Sequence, residues 1–162
     1  MLSLNDLLRT WTLRARERTL NRIPNPPHPW SAASEGRRVV VEHEDAMWQW
    51  AATRILETAG YEVACCGGPH HLPHDQCPLA SDDRCALVDG ADLVVNGLGI
   101  RDPANRAVLT ALRTRRGQIP VIVEIPTPQM AELHVAIAGC RTVPLPVCPR
   151  DLVAAVDEVL CG

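Results

Sequence analysis

Beyond residue 36 the chain alternates short, unbroken apolar runs with longer stretches whose apolar positions recur every three or four residues. The first run, RRVVVEHE, has a β-branched centre and suits a parallel strand buried on both faces. DAMWQWAATRILETAG follows with helical spacing, Asp45 standing where an N-cap belongs and Gly60 where a helix closes. YEVACC predicts a second strand, DLVVNGLG a third, PVIVEI a fourth and RTVPLPV a fifth, whose prolines place it at a sheet edge. DPANRAVLTALRTRRG opens on an Asp102 cap with Pro103 at the first helical position and closes at Gly117. TPQMAELHVAIAG repeats a Thr–Pro opening and a glycine close. A short helix is expected over 82–89 behind Ser81, and PRDLVAAVDEVL forms the last helix. Strands alternating with helices through right-handed crossovers predict an α/β fold: a flavodoxin-like, doubly wound five-stranded parallel sheet in the order 2-1-3-4-5.

The first 36 residues read differently. Residues 1–23 predict an extra amphipathic helix, with Ser3 and Asp6 in a capping-box pattern and Leu4, Leu8, Trp11 and Ala15 on one face. Residues 24–36, rich in proline and then in small polar residues, form a linker or extended strap to the domain at 37–162. Five arginines against Asp6 and Glu17 give the helix +3, so the remainder carries −6 within a chain total of −3. That balance disfavours nucleic-acid binding by the domain. The helix instead suits a partner helix, including a second copy of itself in a homodimer. No apolar run approaches the ~20 residues that span a bilayer. The opening residues lack a secretion signal, so a cytoplasmic location with reduced cysteines is expected.

Two absences narrow the chemistry. The chain has no Phe, so its core must be aliphatic with a few tryptophans, and it has no Lys, all 16 cationic side chains being Arg. A lysine amine, as Schiff base or as a point charge on phosphate, is therefore excluded. No Gly-x-Ser-x-Gly elbow is present, and GGP lacks both the lysine and the helix of a phosphate loop.

Residues 37–160, about three-quarters of the chain, resemble the receiver domain of two-component response regulators. The resemblance lies in RRVVVEHEDAMWQWAATRILETAGYEV, GADLVVNGLG, IPVIVEI and AGCRTVPLPVCPRDLVAAVDEVL. It implies Mg²⁺ on an acidic pair after the first strand, a phosphoacceptor Asp after the third, a hydroxyl ending the fourth and a Lys ending the fifth. Here the acidic pair falls on Glu42 and His43, with Glu44 and Asp45 adjacent. The phosphoacceptor position falls on Asn96, the hydroxyl on Ile125 (Thr127 comes two residues late), and the lysine on Pro146. An amide is no nucleophile toward phosphorus and a weaker Mg²⁺ ligand than a carboxylate. Asn before Gly97 also suits a left-handed turn, so Asn96 has two readings, ligand or turn, and both exclude phosphoryl transfer. The expectation is a non-enzymatic, receiver-like signalling module that binds a protein partner. The resemblance assigns that contact to the surface of residues 130–139, 141–147 and 149–160.

The second candidate chemistry lies in CCGGPHHLPHDQCPLASDDRC, residues 65–85, with four cysteines and three histidines. Zinc takes three or four such ligands at short spacing. Cys66, His70, His74 and Cys77 would supply them, with Cys65, His71 or Cys85 as substitutes. The spacing is irregular, and two other readings stand beside it: inert structure, and a Cys77–Cys85 disulfide. No cofactor other than zinc is suggested.

Overall fold

The computed structural model describes residues 30–31, 36–72, 76–82, 84–115 and 119–161. The expected helix at 1–23, and with it the proposed dimer contact, lies outside the described residues, as does most of the linker. Five strands, β1 (Arg38–Glu42), β2 (Glu62–Cys66), β3 (Leu93–Asn96), β4 (Val121–Pro126) and β5 (Arg141–Leu145), form one parallel sheet. Their order is 2-1-3-4-5, so β5 stands at an edge as its prolines require. This is the flavodoxin-like arrangement that the alternating pattern predicts.

Strand alternation divides the apolar side chains between two layers. Val39, Val41, Leu93, Val95, Ile122 and Val143 face one way. They pack against Ala52 and Leu56 of α1 (Ala46–Thr58) and Leu152, Ala155 and Val156 of α6 (Pro149–Cys161). Val40, Val94, Val121, Val123 and Ile125 face the other way, against Val108, Leu109 and Leu112 of α4 (Pro103–Arg115). With no Phe, the largest fully buried side chains are all Leu, Ile or Val.

The caps hold where the sequence placed them. Asp45 Oδ1 accepts from the Met47 and Trp48 N–H groups, and α1 gives way to Gly60 at φ +96°, a conformation open to a residue without Cβ. Asp102 Oδ1 likewise accepts from Ala104 and Asn105 at the start of α4. Gly117 lies outside the described residues. Trp30 fixes the end of the linker, its indole N–H donating to Leu87 O at 3.0 Å while Arg38 lies over its ring.

Two segments depart from the pattern. Instead of one helix over 82–89 there are two single turns, α2 (Pro78–Ser81) and α3 (Ala86–Asp89), opening on Cys77 and Cys85. Ser81 ends the first turn and starts neither. The helix expected over 127–139 is helical only at α5 (Thr127–Met130) and continues as turns to Gly139. Side chains take the carbonyls a longer helix would use: His134 Nδ1 lies 2.9 Å from Ala131 O, and Arg113 Nη1 donates to Val135 O and Ala136 O. Leu133 and Ile137 still reach the core, which was the apolar signal in the sequence.

Candidate functional site

The C-terminal ends of the strands, where an open parallel sheet binds ligands, bring Glu42 and Asn96 together. They are register partners on β1 and β3, and Asn96 Nδ2 donates to Glu42 Oε2 at 2.6 Å. Asn96 is fully buried as the last residue of β3, so the turn reading fails: the ladder continues through it to Gly97 N–H, which donates to Glu42 O. Burial pushes the Glu42 carboxyl up to about 7, the Asn96 hydrogen bond opposing only part of that. Near neutrality this carboxyl is therefore divided between its neutral and charged forms. Asn96 Oδ1 is buried and, among the described residues, has no hydrogen-bond partner.

His43 turns to the other face. Its ring meets Trp48 edge-on at 6.2 Å, and its Nδ1 accepts from Asp45 N–H, leaving Nε2 to carry the proton of the neutral ring. Burial lowers its pKa, with Asp45 and Glu44 opposing. Trp48 Nε1–H donates to Glu124 Oε2 at 2.8 Å, and burial raises the pKa of that carboxyl too. A Cβ on Gly97 would run into the His43 ring and Glu124 Oε2, so this glycine is what lets the three side chains close over the strand ends. A further amide, Asn105, is fully buried and donates through Nδ2 to Glu44 Oε1 at 2.8 Å and to Gly99 O.

Glu124 and Asn105 were missed from the sequence. The available signal was a lone carboxylate inside the otherwise apolar PVIVEI, and an amide inside the first turn of a helix.

The remaining positions of the expected pocket hold nothing polar. Ile125 is buried in the core beside Val123. Pro146 is exposed and follows Leu145 through a cis peptide, and Thr127 is exposed at the start of α5. Glu42, Asn96 and Ile125 thus share one face of the sheet end, while His43 and Pro146 do not join them around a common point.

No protein-family model matches the sequence, and no curated protein matches it. Solved structures do. A response regulator receiver domain from Clostridium thermocellum superposes with a TM-score of 0.61 at 15% identity, over 77% of this chain and 94% of its own. The receiver domain of NtrX from Brucella abortus gives 0.59 at 16%, over 75% and 97%. The chemotaxis protein CheY4 of Vibrio cholerae gives 0.57 at 16%, over 77% and 99%. The fold is that of a receiver domain.

On this receiver fold the 65–85 segment lies between β2 and β3, and its side chains disperse. Cys65 turns toward α1, where its Sγ lies 2.9 Å from Thr53 Oγ1, whereas Cys66 enters the opposite layer. His70 Nε2 pairs with Asp102 Oδ1 at 3.2 Å, His71 packs against Gly67, and His74 lies outside the described residues. Cys66, Cys77 and Cys85 do share the wall of one cavity. Among the described residues, no group of three or more His, Cys, Asp or Glu is placed to hold a metal ion. All seven cysteines, Cys77 and Cys85 included, carry free thiols. Burial raises the pKa of Cys65, Cys77 and Cys85, and pushes Cys66 to about 12. Protonated thiols are poor nucleophiles and must lose a proton to bind zinc. No described helix is long and apolar enough to cross a membrane.

Proposed function

We propose that the chain is a receiver-like signalling module that works by protein contact, without catalysis and without accepting a phosphoryl group. One observation carries the reading: the side chain at the end of β3 is a buried amide, bonded to a carboxyl that burial holds partly neutral. A phosphoryl acceptor needs an ionised, solvent-reachable oxygen nucleophile, and a phosphoryl sensor needs a hydroxyl and a cation nearby. Ile125 supplies neither, and the chain contains no Lys. The partner surface in this reading is that of residues 130–139, 141–147 and 149–160. Val135 stands 72% exposed there, and the turns at 131–139 break what would be a smooth helix.

Beryllofluoride with Mg²⁺ mimics a phosphorylated carboxylate and tests this directly. Amide NMR of the full chain is expected to show no saturable shift at Glu42, Asn96 or Gly97. A saturable shift at those residues would refute the reading.

A further inference from the structure

Between the β1–β2 edge and the segment carrying α2 and α3 lies a cavity of about 370 Å³. That is the size of a small-molecule site. Its apolar wall includes Val40, Leu72, Leu87 and Val88. Cys66, Cys77 and Cys85 complete it, and with protonated thiols they behave as small, polarisable hydrophobes. Into this wall projects one buried carboxyl, Glu42, only 3% exposed. Among the described residues its side chain has one hydrogen-bond donor, Asn96, and no cationic partner. The other titratable side chains of the wall are Cys65, half-buried, and His71 and Arg84, both exposed.

A carboxylate against apolar walls lacks what stabilises a buried charge, a paired cation. The space in front of it is large enough to admit one. A metal ion does not fit the arrangement, because the groups do not gather around one point. An organic cation does: its charged head would meet Glu42 and its hydrocarbon body the aliphatic and thiol wall.

We propose that this cavity is a binding site for a small primary ammonium ion with a short aliphatic body, held by Glu42. The site shares Glu42 with the strand-end pair, but its wall includes neither Ile125 nor Pro146. Binding there would draw the Glu42 side chain toward the ligand and load the Asn96 contact, which links the cavity to the strand ends.

The test uses the full chain with 3-methylbutylamine as probe and 3-methylbutan-1-ol as its uncharged counterpart. The amine is expected to raise Tm by about 3 °C at tenfold excess over Kd, with no shift from the alcohol. In Glu42→Gln the amine shift is expected to vanish. Cys85→Leu, which narrows the cavity and keeps Glu42, is expected to weaken it. NMR of wild type is expected to show amine-induced shifts at Gly67, Gly68, Leu87 and Val88. Equal shifts from amine and alcohol, an amine effect that survives Glu42→Gln, or shifts elsewhere on the surface would overturn the proposal. None of these outcomes changes the beryllofluoride result, so the two proposals fail separately.

Discussion

At the scale of single residues, the end of the sheet is organised by burial more than by charge. Glu42 carries a proton in the native state at pH values where the unfolded chain has already released it. Its folded pKa is about 7 against an ordinary value of 4.5. The native state therefore binds more protons across that window, and stability falls as pH rises from about 4.5 to about 7. Glu42→Gln removes this dependence. Urea melts at pH 5, 6.5 and 8 should show the variant gaining on wild type as pH rises, by on the order of 1–3 kcal/mol at pH 8. Curves that stay parallel would contradict the buried, partly neutral carboxyl. Glu124, shifted the same way, and His43, shifted down, are common to both proteins and cancel in the difference. Asn96→Asp makes the complementary case by placing a second carboxyl beside Glu42. Like charges in one buried site cannot both ionise at small cost. The variant should lose about 2 kcal/mol or more at pH 8 and much less at pH 5, measured by the same melts. The letters at 42, 96, 125 and 146 were enough to raise the expectation that phosphoryl chemistry lacks an acceptor here. Burial was not legible, because a carboxylate at a strand end looks the same in sequence whether solvated or enclosed. Only the fold reveals that Trp48, 76 residues away, comes to donate to Glu124.

At the scale of elements, period and punctuation determined most of the outcome. The β-branched runs became strands, and Asp45 and Asp102 capped the helices assigned to them. Failures came where distant side chains intervened. In the turns at 131–139, Val135 O and Ala136 O accept from Arg113 of α4, and no local pattern encodes a donor 22 residues away. Among the described residues, the 65–85 side chains disperse for a related reason. Adjacent strand residues point to opposite faces, so the Cys65–Cys66 pair could not converge on one ion. With His70 committed to Asp102 and the thiols protonated, chelation should not matter to stability. Excess EDTA is expected to leave Tm unchanged, and elemental analysis of protein purified without chelator to find well under one equivalent of zinc. A drop of several degrees with EDTA would restore the metal reading, with His74 as a ligand.

At the scale of the whole molecule, the two apolar layers and their crossovers reproduce the receiver fold at 15–16% identity to the solved receiver domains compared above. Leu, Ile and Val dominate both apolar layers of that scaffold, and fold alone leaves function to the site. Here the scaffold carries an amide where the chemistry would begin. Intact-protein mass spectrometry after incubation with acetyl phosphate and Mg²⁺ puts this to its most direct trial. The predicted spectrum is that of the unmodified chain, whatever the incubation time. A hydroxylamine-labile adduct of one phosphoryl group, formed in stoichiometric yield, would contradict it.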